Sequence, residues 1–192
     1  NAKTSSAYIK FDGSDVDIKV DANCPNNQKI FVSGQTEIKE LPLAKFDIQS
    51  TPLIDIEFAH KLLIPIHKIF GFQLGPLPMM VVKGNGQISL KTEGTRESAK
   101  LNGFFKTQNG TAVLNGLNTT LYNGNLNLLF KGKEIIYNNS TGLVEGAKIR
   151  IDGKSDVNGN LDLYVKIFDV NADKAFDVVK TSQLVLNLVV GG

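Results

Sequence analysis

A chain of 192 residues, 42% apolar and 21% charged, is long enough to bury the sizeable core of one folded domain. Its net charge is only +2, its lysines are scattered singly, and Arg96 and Arg150 are its only arginines, which excludes a strongly basic nucleic-acid interface. Cys24 is the one cysteine, so an internal disulfide and a cysteine-rich zinc site are excluded too, and a buried, inert thiol is expected.

The chain starts at Asn1 with neither a methionine nor a charged-then-apolar leader, and it reads as cut from something larger. No run approaches the roughly 20 apolar residues of a membrane-spanning helix, so the piece reads as soluble. Strict apolar/polar alternation comes first in Asp15-Val16-Asp17-Ile18-Lys19-Val20-Asp21 and again in Lys45-Phe46-Asp47-Ile48-Gln49. A strand has a side-chain period of two, so each run places its apolar residues on one face and its charges on the other. Residues 52–80 break the pattern as an apolar helical or loop insertion. Phe58, Leu62, Ile66 and Ile69 have helical spacing there, with Pro65 set to kink any helix. The alternation returns in Gln87-Ile88-Ser89-Leu90-Lys91 and in Lys148-Ile149-Arg150-Ile151-Asp152. Asn-Gly pairs begin at Asn85, Asn102, Asn109, Asn115, Asn123 and Asn158, and Asp-Gly pairs at Asp12 and Asp152; these are read as hairpin turns. A second short helix is expected over residues 172–181, with Ala172, Phe176 and Val179 on one face, and a last strand over about 183–190. The predicted fold over residues 1–192 is a single all-β domain, mainly an antiparallel meander. Its curved sheet could form an apolar groove, with one or two short helices.

No motif for catalysis emerges, and the chain is read as a non-enzyme without cofactor or metal. His60 and His67 are seven residues apart with Pro65 between them, which does not suit a helical zinc pair. Lys83-Gly84-Asn85-Gly86 lies inside alternating β sequence and opens no helix, so a turn or bulge explains it better than a phosphate loop. The oxygens from Asp152 to Asn158 lack the spacing and terminal glutamate of an EF-hand and are read as a polar turn. Sequons begin at Asn109, Asn118, Asn138 and Asn139, as chance allows in so asparagine-rich a chain.

A sheet with one oily face must cover it with a second sheet, a helix, or a ligand that brings its own hydrocarbon. The phrase Gly84-Asn85-Gly86-Gln87-Ile88-Ser89-Leu90, then Glu93-Gly94-Thr95, then Lys100-Leu101-Asn102-Gly103, then Gln108-Asn109-Gly110-Thr111-Ala112-Val113-Leu114, resembles the AsmA-like proteins of Gram-negative envelopes, the TamB and YhdP types. The resemblance covers less than a quarter of the chain closely. It implies a segment of a larger periplasmic protein, anchored in the inner membrane, that carries phospholipid or another acyl-chain lipid along an apolar β groove. It also implies a part in outer-membrane biogenesis, with both membranes as partners of the full-length protein, no nucleic acid and no catalytic residue. The lipid-contacting face would be Ile88, Leu90, Leu126, Leu128, Ile149, Ile151, Leu161, Leu163, Val165 and Ile167. Each of these serves equally as plain core, and alternation does not separate the two. The alternative function is a structural or adhesive β domain of a cell-surface protein, with the same face closed on itself.

Overall fold

The alternating runs pair with their sequence neighbours. A computed structural model describes residues 6–39, 43–57, 59, 79–95, 98, 100–114, 119–156, 160–168 and 187–190. Its strands are β1 (Ser6–Asp12), β2 (Asp15–Asn23), β3 (Lys29–Glu37), β4 (Ala44–Ser50), β5 (Ile54–Asp55), β6 (Met79–Gly94), β7 (Lys100–Leu114), β8 (Thr119–Asn125), β9 (Asn127–Gly132), β10 (Glu134–Val144), β11 (Ala147–Asp156), β12 (Leu161–Phe168) and β13 (Asn187–Val190). They form one 13-stranded sheet in the order β1-β2-β3-β4-β6-β7-β8-β10-β11-β12-β13. β5 lies beside β6 beyond the end of β4, and β9 follows β8 end to end between β7 and β10. All pairs are antiparallel except β12 with β13, where Tyr164 faces Asn187 and Ile167 faces Val190 in parallel register.

The expected short helices are corrected. The described elements are strands and one 3-10 turn at Pro25–Asn27, with no α-helix among them. Within residues 52–80, Pro52 and Leu53 form a turn, Ile54 pairs with Gly86, Asp55 with Asn85, and Met79 and Met80 open β6. Among the described residues of this segment, Ile56, Glu57 and Ala59 have helical backbone. The start of the segment is not helical, because the ladder with β6 captures Ile54 and Asp55 and a left-handed turn at Leu53 (φ 61°) feeds it in, while Phe58, Leu62, Ile66 and Ile69 lie outside the described residues or side chains. Residues 60–78 and 169–186 lie outside the described residues, and with them His60, His67 and the segment 172–181.

The Asn-Gly and Asp-Gly pairs divide into two uses. Asp12-Gly13 enters the hairpin between β1 and β2, where Asp12 pairs with Asp15 and Gly13 (φ 62°) and Ser14 form the two-residue turn. A second hairpin turn, Glu145-Gly146, has both residues at positive φ, as a type I′ loop requires, yet carries no asparagine. By contrast, the pairs beginning at Asn85, Asn102, Asn109, Asn123 and Asp152 lie inside strands. Asn115 and Asn158 fall outside the described residues.

Three asparagines inside strands, Asn109, Asn123 and Asn139, adopt positive φ in β7, β8 and β10. Each sits where the register shifts: between Lys83 and Asn85 for β6 with β7, between Gly110 and Ala112 for β7 with β8, and between Tyr137 and Ser140 for β10 with β11. An extra residue in a strand reverses the parity of every side chain after it. Buried β7 residues accordingly change from odd (Leu101, Thr107) to even (Gly110, Ala112), and those of β10 from odd (Ile135, Tyr137) to even (Ser140, Val144). The bulges keep one face apolar along strands whose sequence alternation breaks.

Side-chain oxygens hold the backbone groups that this seam frees. Thr107 Oγ1 donates to the Gly124 carbonyl at 3.0 Å and accepts the Leu126 N–H at 3.1 Å, in the interior. Ser140 Oγ accepts the Asn127 N–H at 3.1 Å. Asn125 Oδ1 accepts the Asn109 N–H at 3.2 Å. Thr107→Val keeps the shape of the side chain but strands a buried donor and a buried acceptor. A loss of about 2 kcal/mol, read from the urea midpoint, is expected.

Candidate functional site

With the register fixed, one face of the sheet gathers the apolar residues of nearly every strand. They form two clusters. The first joins Val16 and Ile18 of β2, Ile30 and Val32 of β3, Ala44 and Phe46 of β4, with Cys24, Ile54 and Ala59. The second joins Ala112 of β7, Leu121 of β8, Leu126, Leu128 of β9, Ile135, Tyr137 and Val144 of β10, Ala147, Ile149 and Ile151 of β11, and Val165 and Ile167 of β12.

The ten residues singled out from the sequence all sit on this inner face, but not in one place. Leu126, Leu128, Ile149, Ile151, Val165 and Ile167 belong to the second cluster, and Leu163 packs against it half-buried. Ile88 packs against the first cluster. Leu90 is buried between Ile48 and Gly103 in the ladder, and Leu161 is half-buried opposite Ser155. Seven of the ten are no more than 8% exposed. The alternation missed Leu121, Ile135, Tyr137 and Val144, since the bulges at Asn123 and Asn139 interrupt their pattern.

The same face changes character at β1. Ala7, Ile9 and Phe11 stand opposite Val20, Ile18 and Val16 of β2, yet every residue of β1 is exposed. Nothing in the alternation of β2 distinguishes its two flanks, so the opening of the apolar face at β1 is not legible in that pattern.

Polar chemistry on the inner face is sparse. The Tyr137 hydroxyl is reached by Ser155 Oγ at 3.4 Å, and burial pushes its pKa upward against that hydrogen bond, so the phenol stays protonated. Burial, and then the Asp55 carboxylate, push the Cys24 thiol up, which suppresses the nucleophilic thiolate. Thr36 and Thr92 bury their hydroxyl oxygens without a hydrogen-bond partner among the described residues.

The outer face carries the charges. Asp17 accepts from Gln35 at 2.8 Å, Lys45 meets Glu93 at 2.9 Å, and Lys154 meets Glu134 at 3.5 Å. Two open hollows, about 260 and 420 Å³, are lined mainly by such residues: Asp15, Asp17 and Glu37 in one, Lys45, Asp47 and Lys91 in the other. Neither has the apolar lining an acyl chain needs. Among the described residues, no three His, Cys, Asp or Glu side chains are placed to hold a metal ion, and no helix is long and apolar enough to cross a membrane. The glycine-rich 83–86 stretch is part of β6, where Gly84 (φ 118°) lies against Gly110, so it is a bulge and not a phosphate loop.

Asp152 is a structural link. Its Oδ1 accepts the bulged Asn139 N–H at 2.7 Å, and its Oδ2 accepts from Arg150 Nε at 2.6 Å. The Arg150 hydrogen bond, opposed by desolvation and aided by the Asn139 N–H, holds its carboxyl below the usual carboxylate range. A depressed folded-state pKa stabilises the fold above the unfolded value of about 3.9, and the contribution is lost as pH falls through the folded value. Asp152→Asn is therefore expected to cost about 0.5–1 kcal/mol at neutral pH, the guanidinium being half-exposed. Denaturant midpoints of variant and parent should converge in strong acid.

The chain matches no protein-family model, no curated protein and no solved structure.

Proposed function

We propose that this chain is a non-catalytic, structural β domain of a cell-surface protein, with its apolar face closed as a core. The observation that supports this reading is burial: Leu126, Leu128, Ile149, Ile151 and Ile167 are no more than 7% exposed without any bound hydrocarbon. An acyl groove needs its lining reachable by ligand, whereas these residues are already covered. Burial holds the Tyr137 phenol and the Cys24 thiol in their protonated, unreactive forms, which supports the non-catalytic part of the reading. Organic extraction of the purified protein followed by lipid mass spectrometry tests it. The extract is expected to hold no stoichiometric lipid, and refolded protein is expected to take up no fluorescent fatty acid. One acyl chain or more per protein would overturn the reading.

A second reading has its own support. Ile9 and Phe11 continue the inner face to an uncovered margin, and Ile88, Leu161 and Leu163 are only half-buried. With the AsmA-like phrase of residues 83–124, this favours a periplasmic segment that hands phospholipid between membranes, anchored at the inner membrane through the full-length protein. Stoichiometric lipid in the same extract is its expected result.

A further inference from the structure

On the outer face, cations meet carboxylates across the ladders, except between β11 and β12. Wherever else a cation directly faces a charged residue in the described ladders, that residue is a carboxylate, as for Lys45 with Glu93, Lys131 with Glu134 and Lys154 with Asp162. Arg150 of β11 and Lys166 of β12 instead face each other. Directly opposed like charges destabilise a ladder. Lys148, two residues before Arg150, shares their face, since its neighbours Ala147 and Ile149 are buried on the other. Among the described residues, neither Lys148 nor Lys166 forms an ion pair with a carboxylate. Arg150 is held from one side. Asp152 Oδ2 accepts from its Nε at 2.6 Å, and the Asn139 N–H fixes Asp152 Oδ1 at 2.7 Å. The two Nη atoms of Arg150 donate to no described residue. The Lys166 ammonium stands over the Phe168 ring, 5.0 Å from its centroid.

We propose that Arg150, Lys166 and Lys148 form an exposed anion site that takes a phosphate monoester. Cβ atoms of directly opposed residues lie about 5 Å apart, so one tetrahedral anion can bridge the guanidinium and the ammonium. The Nη edge of Arg150 suits two phosphate oxygens at once, and Lys166 reaches a third. Lys148, diagonal to Lys166 across the ladder, adds a second ammonium. Charge selects the ligand class. Three cations against the one carboxylate of Asp152 leave two positive charges, which a phosphate monoester, carrying about −1.5 to −2 near pH 7, neutralises. A carboxylate brings a single charge. A bound phosphate replaces the repulsion between Arg150 and Lys166 with two attractions, which offsets the cost of opposing them. The site lies on the face away from both apolar clusters, so it holds whatever covers them.

Titration of the isotope-labelled full chain with inorganic phosphate at constant ionic strength, followed by backbone amide chemical shifts, tests this. Saturable shifts are expected at Arg150, Lys166 and their neighbours in β11 and β12. Acetate at the same ionic strength is expected to bind far more weakly. Lys166→Gln and Lys148→Gln are each expected to weaken phosphate binding by about fivefold or more. Lys19→Gln, across the sheet in β2, should leave it unchanged. Neither Lys148 nor Lys166 belongs to a core cluster, and Lys166→Gln removes a like-charge opposition, so its urea midpoint without phosphate should not fall. Vesicles of phosphatidic acid in phosphatidylcholine give the source of the ester. Binding that Lys166→Gln abolishes assigns a lipid headgroup, and no binding by the parent assigns a soluble ester. Absence of saturable phosphate shifts in β11 and β12, equal affinity for acetate, full phosphate affinity in Lys166→Gln, or vesicle binding that this substitution leaves intact would each overturn the proposal.

Discussion

Ile151→Ala is expected to lower the stability of the fold by about 3 kcal/mol, measured by urea unfolding. Ile151 is 3% exposed, lies in the centre of β11, and faces Ser140 on one side and Val165 on the other. Removing three methylene-sized groups there loses their transfer free energy and leaves a cavity among Leu128, Tyr137 and Ile149, members of the same cluster. The size of the effect separates core from groove. A side chain lining an open channel loses little packing when truncated, and surface substitutions of that kind stay within about 0.5 kcal/mol. Leu128→Ala should behave in the same way, being 7% exposed in β9.

Gly103→Ala is expected to cost about as much by a different mechanism. Gly103 has φ +139°, a conformation side-chain-bearing residues rarely adopt, and a Cβ there would run into the Ser89 carbonyl and lie 3.0 Å from Leu90 Cα. Both obstacles are backbone atoms of β6, so the ladder between β6 and β7 must part locally. Backbone strain of about 1–3 kcal/mol and overpacking of similar size combine to about 3 kcal/mol. In a chain of this length that lowers the melting temperature by roughly 10 °C, measurable by differential scanning calorimetry. Gly13→Ala, with open space around its Cβ, should pay only the positive-φ part of the cost.

These two sites show how much of the molecule its sequence disclosed. The alternating runs at residues 15–21, 45–49, 87–91 and 148–152 lie within β2, β4, β6 and β11, with their apolar members inward, because period-two patterning over a one-sided sheet leaves no other register. The meander order follows from short connections between neighbours. The Asn-Gly pairs were the ambiguous signal. Positive φ serves a hairpin and a bulge equally, and only the partner strand decides which, so Asn109-Gly110 and Asn123-Gly124 read as turns while sitting mid-strand. That ambiguity hid half of the second cluster, since Leu121 and Val144 follow or precede a parity change that local sequence does not mark. The parallel pairing of β13 with β12 depends on a long connection and was equally illegible. The inner face was legible as a face, through residues such as Leu128 and Ile151. Its coverage was not, because burial is a property of what packs above a strand and not of the strand's own pattern.

The closed core is tested most directly by photo-leucine, which replaces leucine with little change in shape, incorporated during expression in a Gram-negative envelope. After irradiation, mass spectrometry of the peptides carrying Leu126 and Leu128 reads what each side chain touches. Cross-links to neighbouring protein groups such as Tyr137 and Phe105 are the expected result. Phospholipid adducts on those two leucines would contradict the closed core and make the face a lipid-carrying groove.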